Sequence, residues 1–322
     1  MEPIKIYRNR SEPSYFVVDW MLHDRCTYNC SYCPPANKSG TDSWLDLKKL
    51  DEFCTAVEQH AHSIDPKFQI HVLFTGGEPT VWKDFDKLIK RITDRGWFIT
   101  VNSNGSRTSR WWDEYAKNFI QILLSYHTES VNDDEFIEKI KICEKYTNTS
   151  INIMLNPDPK YFSRAIEIGN RIRRETKYVS FTYHKIQHTF GLQEISVPHY
   201  TPEQINVINS LDNYPNLSDR YPYLPNNFYV QSADLSVKQL DAIELINAGQ
   251  INFKGWQCYA GLESIFVDSR GDIFRATCRA GESMGSILNP ADIVWTKNSI
   301  ECPHTWCRCV TDIRNTKVKD VL

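Results

Sequence analysis

From Tyr15 to about Lys185, short apolar runs alternate with longer segments whose apolar residues recur at helical spacing. The runs at 15–22, 68–74, 97–101, 119–125, 150–155 and 178–183 are short and rich in β-branched and aromatic residues, which predicts six strands. Helices are predicted between them, near 44–62, 82–95, 108–117, 132–146 and 159–174. Leu50, Phe53, Cys54 and Val57 fall on one helical face, as do Phe136, Ile140 and Cys143. Strand, helix and strand repeated in this way require parallel strands with right-handed crossovers, hence an α/β sheet or an incomplete barrel. Chemistry in such folds collects at the C-terminal ends of the strands.

Residues 186–257 leave that rhythm and are rich in Asn, Tyr and Pro. A helix is predicted from Thr201-Pro-Glu-Gln204, which supplies an N-cap, a proline at the first helical position and a capping-box glutamine. A second is predicted over about Val237 to Ala248. The aromatic segment Tyr214 to Tyr229 reads either as a substrate wall or as a packed connector. From Trp256 onward a compact segment carries five of the ten cysteines, with a hairpin predicted from Ser264-Ile-Phe-Val267, Asp268-Ser-Arg-Gly271 and Asp272-Ile-Phe-Arg275. The expected organisation is an N-terminal extension (1–14), a barrel-like domain (15–190), a connector (191–255) and a cysteine-rich domain (256–322).

The 322 residues are 41% hydrophobic, enough for a full core, and exclude disordered and collagen-like classes. Lys plus Arg number 37 against 40 Asp plus Glu, so there is no broad basic field for phosphate-backbone binding. Nothing approaches a run of about eighteen apolar residues, so no membrane span is expected. Met1 to Arg10 mixes charges and lacks the apolar centre of a secretory signal, which makes the cytosol the expected compartment. Clustered cysteines in a reducing compartment bind metal or do redox chemistry more often than they form disulfides.

The first group, Cys26, Cys30 and Cys33, follows the first predicted strand, with three and then two residues between the thiols. Three thiolates can hold three irons of a 4Fe-4S cubane and leave the fourth open to an exogenous chelate. The other readings of the same residues are a structural zinc site with His23 as fourth ligand and plain core cysteines. The second predicted strand ends in Gly76-Gly77-Glu78-Pro79, where glycines without Cβ atoms allow a ligand to lie against the backbone, or simply make a turn. Asn102-Ser-Asn104-Gly105 and Ser125 end the next two strands. An Asn-Gly pair is also a common turn, and a terminal serine a common cap.

The CxxxCxxC spacing with Tyr32 before its last cysteine, followed by GGEP, resembles the radical S-adenosylmethionine (radical SAM) superfamily. The resemblance implies a partial (β/α)6 TIM-like barrel in which Cys26, Cys30 and Cys33 ligate a SAM-binding 4Fe-4S cluster. It also implies that Gly76, Gly77, Glu78 and Pro79 hold the methionyl amino group, that Asn102 and Asn104 lie beneath the cofactor, and that Ser125 contacts its ribose. Asn152, Met154, Tyr183 and His184 would then face cofactor or substrate, or else be core or rim residues. The implied chemistry is reductive cleavage of S-adenosylmethionine to a 5′-deoxyadenosyl radical that takes hydrogen from an unactivated carbon. The implied electron source is a protein of flavodoxin or ferredoxin type.

The second group is Cys258, Cys278 and Cys302-Pro-His-Thr-Trp-Cys307-Arg-Cys309, with Gly271 and Met284-Gly-Ser-Ile287 between. It resembles the SPASM or shorter twitch extensions of the same superfamily, hairpin and helix domains that carry auxiliary 4Fe-4S clusters. The implied ligands of one auxiliary cluster are Cys258, Cys278, Cys307 and Cys309, with Cys302 as a substitute ligand or as a free thiol that donates a hydrogen atom. A zinc knuckle with His304 is the other reading. Cys54 and Cys143, on apolar helix faces, read as packed core thiols.

These motifs specify cofactors rather than a substrate. Relatives of this kind act on peptides, protein side chains and sugars by oxidation, crosslinking or epimerisation, and a fully ligated auxiliary cluster favours net oxidation. No further domain precedes the first strand, which points to a short peptide or a small molecule such as a saccharide or nucleotide. A different class of reading is a non-catalytic zinc protein that binds nucleic acid, with Arg107, Arg110, Trp111 and Trp112 as a single-strand platform.

Overall fold

A computed structural model describes residues 3–8, 14–35, 38, 40, 46–186, 198–212, 228–240 and 242–319. In chain order the strands are β1 (Pro3–Tyr7), β2 (Tyr15–Met21), β3 (Gln69–Thr75), β4 (Phe98–Ser103), β5 (Gln121–Tyr126), β6 (Asn148–Leu155), β7 (Val179–Lys185), β8 (Phe228–Ser232), β9 (Val237–Leu240), β10 (Gln257–Cys258), β11 (Ser264–Val267), β12 (Asp272–Phe274), β13 (Gly285–Ser286), β14 (Ile300–Glu301) and β15 (Lys317–Val318). The helices are α1 (Leu47–Ile64), α2 (Phe85–Asp94), α3 (Ser109–Tyr115), α4 (Asp133–Cys143), α5 (Pro159–Glu175), α6 (Pro202–Ser210), α7 (Ala242–Asn247) and α8 (Val310–Ile313). The chain is α/β, and the succession from β2 through α1 to α5 and β7 is that of a partial (β/α)6 TIM-like barrel. All six predicted strands and all five predicted helices of this region are present.

The chain forms two compact units, one of residues 1–22, 43–73 and 224–322, the other of residues 23–42 and 74–223. In the second unit β4, β5, β6 and β7 run parallel in that order. Ile151, Ile153 and Leu155 of β6 are buried on one face, while Ser150, Asn152 and Met154 on the other are half-buried. The helices between are set by local signals. Asn132 accepts hydrogen bonds from the N–H groups of Asp134 and Glu135, and three acidic residues in the first turn of α4 complement its dipole. Asp158 caps α5 ahead of Pro159. The capping box predicted from Thr201 and Gln204 is formed at α6.

In the first unit β11 adds parallel to β2, with Ser264 opposite Val17 and Val267 opposite Trp20, and β12 and β13 continue antiparallel. The predicted hairpin is there. Asp268 accepts from the N–H groups of Arg270 and Asp272, and Gly271 takes the left-handed φ of 85° that the turn requires. A second, antiparallel sheet has the order β14-β10-β15-β1-β8-β9. It covers a buried cluster that includes Ile6, Phe228, Phe253, Trp256 and Ile313.

The helix predicted over Val237–Ala248 is not formed as one element. Val237–Leu240 pairs antiparallel with Phe228–Ser232 as β9, and only Ala242–Asn247 is helical. A turn decides this. Asp234 accepts from the backbone N–H and hydroxyl of Ser236, and Leu235 takes a φ of 67°, which folds the chain back on itself before a helix can start. Apart from Phe228 and Tyr229, the expected substrate wall lies outside the described residues, as do 191–197, 213–227 and 241 of the connector. Among the described residues no helix is long and apolar enough to cross a membrane.

Candidate functional site

The second unit carries the first cysteine group on the loop just past β2. That loop is docked by backbone pairing. Gly77 N–H donates to the His23 carbonyl at 2.8 Å and Glu78 N–H to the Arg25 carbonyl at 2.7 Å. A Cβ atom on Gly76 would run into the His23 carbonyl, and one on Gly77 into the Arg25 carbonyl; Gly76 also has a φ of 137°. The glycines therefore let two backbone strips meet, with the cysteine loop lying on the Cβ side of each. Gly77→Ala is expected to cost about 1–3 kcal/mol of stability through this overlap and to lower iron uptake by the loop. Melting temperature and iron content like those of the unsubstituted chain would contradict this account of the loop.

Glu78 is fully buried. One carboxylate oxygen accepts from the Thr80 hydroxyl (2.6 Å), the Thr80 N–H (3.2 Å) and the Ser103 hydroxyl (2.8 Å), and the other from the Asn104 N–H (2.6 Å). Burial pushes its pKa above the usual carboxylate range, against these hydrogen bonds, which favour the charged form. Asn104 passes the constraint on, its amide donating to Cys26 Sγ at 3.5 Å and to the Thr27 hydroxyl at 3.1 Å. Glu78 thus buttresses the cysteine loop through the end of β4, while Pro79 starts the short 3₁₀ turn Pro79–Val81.

Cys30 is buried, and Cys26 and Cys33 are half-buried; burial raises all three thiol pKa values. Cys30 Sγ lies 3.9 Å from the Ser130 hydroxyl. Tyr32 is hydrogen-bonded to His127 Nδ1 at 2.7 Å and stacks on that ring. Burial lowers the pKa of His127 to about 4, so the ring is neutral at pH 7. Glu129 accepts from the Ser31 N–H (2.7 Å), the Ser31 hydroxyl (2.6 Å) and the Asn156 amide (2.6 Å). His127, Glu129, Ser130 and Asn156 were missed in the sequence. The available signal was their position just beyond the C-terminal ends of β5 and β6.

The expected rim residues divide. Met154 packs on the buried group of Cys30, Tyr32 and Ile186, and His184 stands opposite it on β7. Ser125, Asn152 and Thr182 form one row across three strands, and the Ser125 hydroxyl donates to Asn102 Oδ1 at 3.2 Å. Tyr183 turns the other way, its hydroxyl lying against Gly169 of α5, because strand alternation sets it on the face of Phe181. His23 is buried, and its Nδ1 accepts from the Arg25 N–H at 3.0 Å. Among the described residues no three His, Cys, Asp or Glu side chains converge as a single ion would need. The foreseen nucleic-acid platform is not laid out. Trp112 is fully buried, Trp111 stacks on Phe85 and Tyr115, and Arg107 lies over Trp111 and donates to the Thr80 carbonyl at 2.6 Å.

The first unit carries the second cysteine group. Cys258, Cys302 and Cys307 belong to one buried cluster, and Cys278 packs against it. Cys309 Sγ points instead to the Asp19 carboxylate of β2, at 3.9 Å. Asp19 is pushed up to about 7 by burial and then by neighbouring Asp312. Burial raises the thiol pKa of Cys278 to about 12 and also raises those of Cys258, Cys307 and Cys309. His304 Nε2 lies 3.2 Å from the Cys278 carbonyl. Cys54 and Cys143 are fully buried core thiols, as foreseen.

The chain matches the radical SAM superfamily over residues 20–183, more than half its length. It is 29% identical over 104 residues to GTP 3′,8-cyclase of Haemophilus influenzae (strain PittGG), a stretch covering 30% of this chain and 28% of the cyclase. It is 30% identical over 113 residues to Fe-coproporphyrin III synthase of Methanosarcina barkeri (strain Fusaro / DSM 804), covering 34% of this chain and 25% of the synthase. The crystal structure of Streptococcus suis SuiB bound to S-adenosylmethionine superposes with a TM-score of 0.51 at 15% identity, over 85% of this chain and 64% of SuiB. That likeness is one of fold. The chain spans only about a quarter of the length of these two curated relatives.

Proposed function

The chain belongs to the radical SAM superfamily, a family of 4Fe-4S and S-adenosylmethionine enzymes, and we propose that Cys26, Cys30 and Cys33 are the ligands of that cluster here. The observation that carries this assignment is the single docked loop. Three thiols sit on one short loop whose backbone is pinned to Gly77 and Glu78, and Cys26 is tied through Asn104 to the Glu78 carboxylate. The donor set fits a cubane with one open corner, since the loop supplies three sulfur ligands and no fourth. When bound, cluster and S-adenosylmethionine supply a carbon radical able to take hydrogen from an unactivated position.

The chain's own residues then bind, orient and shield. Glu78, Thr80 and Ser103 hold the strand ends rigid, and Tyr32 with His127 and Glu129 with Ser31 fix the far side of the loop. Asn102, Ser125, Asn152 and Thr182 offer hydrogen-bonding groups for a ribose or a substrate, beside apolar Met154. In this reading residues 15–190 form the catalytic barrel, 1–14 an extension, 191–255 a connector and 256–322 an auxiliary domain. The auxiliary ligands are Cys258, Cys278, Cys302 and Cys307. Shared packing with Cys258 and Cys307 supports Cys302 in this set in place of the expected Cys309, whose Sγ contacts Asp19; Cys309 is then the leftover thiol.

The substrate is a peptide or a small biosynthetic molecule, oxidised at carbon, with a flavodoxin or ferredoxin-type protein as electron donor. All ten cysteines are unpaired, which suits the cytosol. A peptide is supported by a SuiB structure bound to precursor peptide SuiA, of like fold over 88% of this chain. A nucleotide is the second reading, favoured by the stretch shared with GTP 3′,8-cyclase. Anaerobic turnover with deuterated peptides and deuterated nucleotides separates them. Deuterium entering 5′-deoxyadenosine from a peptide is the expected result, and deuterium from a nucleotide moves the assignment to the second reading. No 5′-deoxyadenosine from any reduced, iron-loaded sample would overturn both.

A further inference from the structure

Lys317, on β15, is only 1% exposed. Lysine is almost never enclosed to that degree unless it is paired. Sheet register fixes where its side chain goes. Lys317 stands opposite Cys258 of β10, which in turn stands opposite Ile300 of β14, so the three side chains project from one face. The pairing continues as Cys302 N–H donates to the Trp256 carbonyl at 2.8 Å, and strand alternation brings Cys302 to that same face.

Lys317 Nζ donates to the carbonyls of Asp312 (2.6 Å), Ile313 (3.1 Å) and Asn315 (3.1 Å), at the end of α8. Three carbonyl acceptors take three N–H donors, and only the ammonium form has three. The same nitrogen lies 5.1 Å from the centre of the Phe253 ring, which belongs to the buried cluster of Cys258, Cys302 and Cys307. Asp312, the acidic residue on this turn, has its carboxylate directed at the hydroxyl and N–H of Thr277. A positive charge is thus fixed within electrostatic reach of Cys258, Cys302 and Cys307, alongside the buried Asp312 carboxylate, where salt screens it little.

We propose that Lys317 is a positioning residue for the auxiliary centre, a built-in cation that favours the centre's more reduced state. The inference rests on the assignment of Cys258, Cys278, Cys302 and Cys307 as ligands. A cubane held by four thiolates is anionic and gains one more negative charge on reduction, so a buried cation beside it raises its reduction potential. A lysine that served only to tie the end of α8 would leave that potential where it was.

The test uses the full chain with Cys26, Cys30 and Cys33 all changed to alanine, so that only the auxiliary centre carries iron. Iron content and an anaerobic redox titration followed by electron paramagnetic resonance are compared for Lys317→Gln and Lys317→Arg in that background. Glutamine keeps two donors for the turn and removes the charge; arginine keeps the charge. The background chain and both variants are expected to hold about four irons. The Lys317→Gln midpoint is expected to fall by at least about 59 mV, a tenfold change for a one-electron couple, while Lys317→Arg stays within a threefold change. An unshifted midpoint in iron-loaded Lys317→Gln overturns the proposal. So does loss of iron by Lys317→Gln, because a charge role leaves assembly intact. If the background chain itself takes up no iron, the auxiliary assignment fails and the proposal falls with it, a result distinct from the other two.

Discussion

Cys30→Ala is expected to abolish 5′-deoxyadenosine formation from S-adenosylmethionine and reductant, down to the level of protein without iron. Cys30 is the most buried of the three loop thiols and the middle one in sequence. Removing it leaves two thiols on the loop, and the neighbouring Ser130 hydroxyl, 3.9 Å from the lost sulfur, is a poor ligand for a soft metal site. The loop itself stays docked, since Gly77, Glu78 and Asn104 hold it by groups the substitution does not touch. Truncating one buried thiol costs stability only on the order of 1 kcal/mol, so the melting curve should change little while activity vanishes. Cys54→Ala, a core thiol far along the sequence on α1, is the control that should retain cofactor cleavage. Undiminished nucleoside release by Cys30→Ala would mean that the loop is not a cluster site.

Cys278→Ala is expected to separate the two cysteine groups by their chemistry. Iron after anaerobic reconstitution should fall from about eight to about four atoms per chain, one cubane's worth. Reductive cleavage of S-adenosylmethionine should continue, because the first group keeps all its ligands, while conversion of substrate stops. The contrast between an intact cofactor half-reaction and a lost product is the signature of a second centre needed after the first step. Full iron content in this variant, or a normal product yield, would speak against a required auxiliary cluster.

The fold of the barrel region was legible because its signals are local. Six apolar runs with β-branched residues and five helical stripes each act within a few residues, as does the Thr201 capping box of the connector, and all appear in the structure. The cysteine loop was visible for a different reason, since the spacing of three thiols on one loop is written directly in the sequence. Longer-range pairing was not. The glycines of Gly76-Gly77 matched the family pattern, but their packing against the carbonyls of His23 and Arg25 is a contact between segments more than fifty residues apart. The Glu78 network with Ser103 and Asn104 has the same character, as does the grip of Glu129 on Ser31 and Asn156. In the C-terminal group, the expected set took Cys309 with Cys302 as substitute, and neither the packing of Cys302 with Cys258 and Cys307 nor the Asp19 contact of Cys309 is readable from spacing. At Val237–Leu240, apolar periodicity suggested helix, and cross-strand pairing with β8 prevailed.

The central claim is that the loop of Cys26, Cys30 and Cys33 holds an iron-sulfur cluster with an open corner for S-adenosylmethionine. Electron paramagnetic resonance of the anaerobically reconstituted, reduced full chain, recorded with and without S-adenosylmethionine, tests it most directly. The account predicts a cluster signal that changes on adding the nucleotide, and no such change in Cys30→Ala. A chain that takes up zinc instead, or a cluster signal indifferent to S-adenosylmethionine, would contradict it.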